Sequence, residues 1–81
     1  MKISIESTGK IVTLTNWPTA GMPARIWEGQ TENGVPVICF ITRIAVGKDA
    51  KKETLRLFES ELQEHRPPSA EAEAFPLRMI L

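Results

Sequence analysis

The dipeptide Asn33-Gly34 constrains the fold of this chain more than any other feature of its sequence. Both residues accept the positive φ angles of a type I′ turn, and the flanking segments 24–31 and 35–46 are rich in β-branched and aromatic residues. The sequence therefore predicts a β-hairpin with a two-residue loop. An antiparallel sheet is then the framework that the rest of the chain must fit.

The register of this hairpin decides which side chains share a face of the sheet. A two-residue loop places Trp27 opposite Phe40 and Glu28 opposite Cys39. One face is then expected to carry Trp27, Ile38 and Phe40, and the other Ile26, Val37, Cys39 and Ile41. A strand that is apolar on both sides belongs inside a sheet, so each face needs a cover.

Alternation of polar and apolar residues predicts two more strands, over 2–7 and 11–15. The residues between them, Ser7-Thr8-Gly9-Lys10, have the composition of a tight turn, which indicates a second hairpin. A loop with two prolines and a glycine, 16–23, joins the two hairpins. These segments together predict an antiparallel four-strand meander.

One main helix is predicted over 49–65, with Asp49 as its N-cap. Its apolar stripe has the spacing i, i+3, i+7 and consists of Leu55, Phe58 and Leu62. Arg66-Pro67-Pro68 ends the helix, because the first proline disfavours helical geometry at the preceding residue. This helix is expected to cover one face of the sheet.

The C-terminal residues predict two short elements. Ser69 caps one or two helical turns that reach residue 74, and 77–81 is a short apolar segment typical of a strand. That segment would add a fifth strand to the meander. The chain is therefore expected to form a single α+β domain over residues 1–81, since a second core would not fit.

Size and cysteine content indicate the class of protein and its compartment. A chain of 81 residues builds a thin core, which self-association would supplement. Its one cysteine, Cys39, cannot form an internal disulfide, and no signal-peptide pattern opens the sequence. The longest apolar run, 35–41, is far shorter than the roughly twenty residues of a membrane-spanning helix. We expect a cytoplasmic protein without membrane contact.

No pattern in the sequence predicts catalytic chemistry. His65 and Cys39 are single residues of their types and cannot supply a multi-ligand zinc site within one chain. Thr8-Gly9-Lys10 lacks two further residues of a phosphate-binding loop. Lys plus Arg number 10 and Asp plus Glu number 10, so nucleic acid is not an expected partner. The sequence predicts a non-enzymatic protein with no metal or cofactor site.

The charges of the main helix have an unusual order. Lysines crowd its start and glutamates its end, at Lys48, Lys51, Lys52, Glu59, Glu61 and Glu64. This order opposes the helix macrodipole, so local helix stability does not favour it. The surface either docks a partner of opposite charge order or is a tolerated arrangement on a solvated face.

The loop 16–23 contains large apolar residues where polar ones are the rule. They either cover the sheet or form a patch that binds a partner. The candidate partner-binding residues are Trp17, Met22, Pro23, Arg25, Trp27 and Phe40.

The predicted function is that of a small interaction or assembly protein. We expect a homodimer that forms through the sheet or its edge, or binding to another protein of unknown identity. One alternative is a weak single-stranded nucleic-acid-binding module, since Arg25 and Arg43 lie near aromatic residues. Another alternative is an accessory subunit of an enzyme.

Overall fold

The computed structural model describes residues 1–15 and 17–73 and shows an α+β fold with one main helix. In these residues the sheet is antiparallel with the strand order β1-β2-β3. The elements in chain order are β1 (Ile3–Thr13), β2 (Pro23–Thr31), β3 (Pro36–Ile41), α1 (Lys52–Leu62) and α2 (Ala70–Glu73).

β1 is a single strand, so the hairpin predicted near the N-terminus is wrong. Its pairing with β2 shifts register between Ser7 and Ile11. The buried Thr8 holds this irregularity, because its Oγ1 donates to the Ile26 carbonyl at 2.7 Å and accepts from the Lys10 N–H at 3.3 Å. Residues with turn composition therefore bend the strand without reversing it, and the described sheet has three strands where the sequence predicted four.

The hairpin between β2 and β3 is present, but its loop has three residues, 32–34. The Thr31 N–H donates to the Val35 carbonyl at 2.9 Å, and the Gly34 N–H donates to the Thr31 carbonyl at 3.0 Å. Gly34 has a φ of 82°, whereas no described non-glycine residue has a positive φ. Asn33 therefore does not adopt the type I′ geometry, and the turn ends in a left-handed glycine instead.

The extra loop residue moves the register by one position and exchanges the faces of β3. Trp27 lies opposite Cys39, and Phe40 lies opposite Ile26. Phe40 therefore does not share a face with Trp27, which corrects the predicted register. We call one side the core face, formed by Ala24, Ile26, Glu28, Ile38 and Phe40. The other is the cleft face, formed by Arg25, Trp27, Val37, Cys39 and Ile41.

We expect Gly34→Ala to destabilise the domain by about 1 kcal/mol, because alanine resists positive φ. A Cβ at Gly34 would meet no atom within 4 Å, so the cost comes from the backbone alone. Gly47→Ala is the matched control, since Gly47 also faces open space and its φ is not in the left-handed range. Urea denaturation of both variants measures the difference. Equal midpoints would contradict the assigned turn.

The buried hydrophobic residues of the described chain are Leu14, Ala24, Ile26 and Ala72. Ala72 belongs to α2, whose predicted cap is confirmed: Ser69 Oγ accepts from the Ala72 N–H at 3.2 Å. Lys10 and Glu73 form an ion pair at 2.9 Å that ties α2 to β1. The segment 66–73 thus packs on the core face. The predicted strand 77–81 lies outside the described residues.

α1 is shorter than predicted at both ends. The Ala50 N–H donates to the Gly47 carbonyl at 3.0 Å, which places Asp49 inside a turn. Asp49 is therefore not the N-cap. That position belongs to Lys51, which makes no side-chain cap bond. At the other end α1 stops at Leu62, before the proline pair, because the next residues bond to β1.

Candidate binding cleft

A cleft of about 940 Å³ separates α1 from the cleft face of the sheet. Its lining is largely apolar. The sheet contributes Ile5, Ile11, Trp27 and Ile41, and the opposite side contributes Ile44, Phe58 and Leu62. Clefts of this volume with an apolar lining are the usual form of binding sites in proteins.

Chain connectivity requires α1 to cross the sheet. The helix must return from the end of β3 to the far edge of β1, where the chain is fixed by backbone bonds. The Arg66 N–H donates to the Ser7 carbonyl at 3.2 Å, and the Gly9 N–H donates to the Arg66 carbonyl at 2.9 Å. Ser7 Oγ also donates to the Glu64 carbonyl at 2.7 Å. The residues that follow the C-terminal end of α1 are thus fixed to the outer edge of β1.

α1 does not pack tightly on the sheet that it crosses. None of its residues is buried, and Leu55, Leu57 and Leu62 are 41%, 61% and 42% exposed. Phe58 is only partly buried. The apolar side of the helix and the cleft face therefore remain open to a further molecule.

Charges of both signs line the cleft. Arg25 and Arg43 are cationic, Glu61 and Glu64 are acidic, and His65 also lines the cleft. Arg66 and Glu6 border the cleft too, but their side chains pair with each other beside Glu28 on the core face. Arg25 Nη1 donates to the Thr8 carbonyl at 2.8 Å, so this guanidinium is fixed by the bent part of β1. An occupant of the cleft would meet apolar side chains and charges of both signs.

The structure brings together three of the six candidate partner-binding residues: Pro23, Arg25 and Trp27 line the cleft. Phe40 lies on the core face instead. Trp17 is 89% exposed, so it does not cover the sheet as one interpretation of the loop required. Met22 is partly buried, and its carbonyl accepts from the Leu14 N–H at 2.9 Å.

A second polar site lies on the core face, where Glu28 is held by Arg66 and Ser69. Arg66 Nη1 donates to Glu28 Oε2 at 2.9 Å, the Ser69 N–H donates to the same oxygen at 3.0 Å, and the Ser69 hydroxyl donates to Oε1. Glu28 lies on β2, the middle strand of the described sheet, and faces Ile38 of β3 where the predicted register placed it opposite Cys39.

The hydrogen bond from the Ser69 hydroxyl holds the pKa of Glu28 below its ordinary value. The Ser69 backbone N–H and Arg66 act in the same direction, and burial of the carboxylate opposes them. Glu28 is therefore ionised at neutral pH and acts as an anchor for the segment 66–73. A carboxylate with a lowered pKa is poorly suited to general acid or base catalysis near pH 7.

Arg66 is the residue that sequence reasoning missed, because it was considered only as the end of a helix. It contacts Glu28, and its Nε lies 3.3 Å from Glu6 Oε2. The sequence feature that could have revealed this role is Glu28, because a carboxylate within an apolar strand needs a cationic or hydrogen-bonding partner. The sequence did not show which cation would supply it.

No protein-family model, curated protein or solved structure matched this chain. Across residues 1–15 and 17–73, no cluster of three or more His, Cys, Asp or Glu side chains could hold a metal ion. In the same residues no helix is long and apolar enough to cross a membrane.

Proposed function

We propose that this chain is a non-enzymatic assembly protein that associates with a second copy of itself and covers the cleft in doing so. The observation that carries the proposal is the exposed apolar side of α1, which lies across an open cleft from the partly buried residues of the cleft face. Exposed apolar groups on two facing surfaces lose contact with water when another chain covers them.

The exposed leucines of α1 support this proposal. Leu55, Leu57 and Leu62 are each at least 41% exposed, whereas a standard protein interface would bury about 800 Å² on each partner. We further propose a cytoplasmic location, since the chain has one cysteine and gains no stability from an internal disulfide.

A single-stranded nucleic-acid-binding module is the second candidate. Trp27, Arg25 and Arg43 in the cleft are of the residue types that stack on bases and contact phosphates. Glu61 and Glu64 of the same cleft and the zero net charge weaken this candidate. An accessory subunit of an enzyme would use the same apolar surface to bind a different chain.

Sedimentation of the purified protein up to about 200 µM tests self-association by mass action. We expect the mass to approach twice the 9.1 kDa of one chain. Leu62→Lys should give a monomer, because it places a charge in the cleft. Ile3→Lys is the matched control, since both residues are 42% exposed and Ile3 does not line the cleft.

A monomeric wild-type chain over the whole concentration range would overturn the proposal. Quenching of tryptophan fluorescence by an oligonucleotide at micromolar concentration, in about 0.15 M salt, would then favour the second candidate.

A further inference from the structure

We infer that the second copy approaches along α1, with the two helices antiparallel, so that Lys52 of one copy lies beside Glu59 of the other. This inference rests on the proposed self-association and specifies its interface. It accounts for two features of α1 that the fold of one chain leaves unexplained: its reversed charge order and the exposure of Leu55 and Leu62.

The charge order of α1 is unfavourable within a single chain. Lys51 and Lys52 stand at the positive end of the helix dipole, and Glu59 and Glu61 stand near the negative end. The ion pairs of the described residues join Lys10 to Glu73 and Arg66 to Glu6 and Glu28, and none involves α1. Glu53 in the first turn offsets one of these lysines, but no described ion pair offsets the remaining charges at the two ends of the helix.

An antiparallel second copy balances this order at both ends. A two-fold axis near the middle of α1 places the lysine end of each helix beside the glutamate end of the other. Each copy then contributes the same contact, so the ion pair between Lys52 and Glu59 forms twice. A parallel pair would place lysines beside lysines and glutamates beside glutamates, which is repulsive.

The apolar residues of α1 have the spacing that such a pair requires. Leu55, Phe58 and Leu62 follow the a and d positions of a heptad, and Lys52 and Glu59 are seven residues apart on one flank of that stripe. In an antiparallel pair equivalent flanks meet, so Lys52 faces Glu59 of the second copy while Leu55 packs against Phe58 of that copy. Phe58 and Leu62 also line the cleft, so the pair closes its open side.

A second copy fits this surface better than an unrelated helix, because the complementarity is internal to one sequence. Two-fold contacts use the same patch on both chains, and here one patch carries both the lysines and the glutamates. An unrelated partner would need the same reversed order of charges by coincidence.

Charge exchange tests the inference directly. We expect Lys52→Glu and Glu59→Lys, each alone, to weaken dimerisation about tenfold, because two attractive pairs become repulsive. An equimolar mixture of the two variants should form a heterodimer about as tightly as the wild type. The chain that carries both substitutions should also regain the homodimer.

The design separates loss of binding from loss of the helix. Both substitutions agree with the helix dipole, so each should stabilise α1 while it weakens the dimer. Glu53→Lys is the matched control, because it makes the same change of charge as Glu59→Lys on the side of the helix opposite Leu55, Phe58 and Leu62. Its dimer should be unchanged in sedimentation, and circular dichroism verifies the helix in every variant.

Two results would overturn the inference, and they are distinguishable. A wild-type dimer that both charge variants leave unchanged would place the interface elsewhere, and self-association would stand. A wild-type chain that is monomeric throughout would overturn the helix pairing together with the proposed function.

Discussion

Gly29→Ala is expected to destabilise the domain by about 3 kcal/mol or more, which for so small a domain can abolish folding. A Cβ at this position would lie 1.8 Å from the Ser4 carbonyl oxygen and 2.7 Å from the Ile5 Cα. Both atoms belong to the backbone of β1, so no side-chain rotation relieves the clash. β1 and β2 would have to separate where Gly29 faces Ile5.

Gly47→Ala is the control for this prediction, because a Cβ there meets nothing within 4 Å. Its unfolding free energy should change by less than about 0.5 kcal/mol. Urea denaturation followed by circular dichroism compares the two variants with the wild type. A Gly29→Ala midpoint close to that of Gly47→Ala would show that the strands do not approach as closely as described.

The next largest effect is expected for Glu28→Gln, which should lower the unfolding free energy at pH 7 by about 2 kcal/mol. The substitution removes the charge that Arg66 and Ser69 stabilise, from a side chain that is only 11% exposed. Glu6→Gln is the matched control, because Glu6 contacts the same Arg66 from a side chain that is 77% exposed. Its effect should stay below about 0.5 kcal/mol.

The difference between wild type and Glu28→Gln should depend on pH. Because the pKa of Glu28 is lower in the folded chain, the ionised carboxylate stabilises the fold above its ordinary pKa. This contribution is lost as the pH falls below the ordinary value and through the folded one. The urea midpoints of wild type and Glu28→Gln should therefore differ at pH 7 and converge at acid pH. A constant difference would show that Glu28 does not anchor the segment 66–73 through its charge.

Candidate residues of the cleft could be predicted from the sequence only in part. Trp27 and Arg25 were selected for their residue types, and both line the cleft. Phe40 was selected because of an assumed register, and a loop one residue longer moves it to the core face. The role of these residues in binding a partner stays a prediction that the variants above can test.

The sequence by itself determined the features that depend on neighbouring residues. Turn chemistry placed a hairpin around Gly34, hydrophobic spacing located α1, and a serine before a helix-forming run identified the cap at Ser69. Each of these follows from contacts within a few residues, whose geometry is similar in every protein.

Only the tertiary structure decided the features that depend on distant residues. Thr8 bonds to Ile26, 18 residues away, and this contact keeps β1 continuous through a segment that resembles a turn. Arg66 pairs with Glu28, which lies 38 residues earlier in the chain. This ion pair holds the segment that follows α1 at the edge of β1. The open cleft results from this path. Local propensity cannot predict such contacts, because they form only when packing brings together residues that the sequence keeps apart.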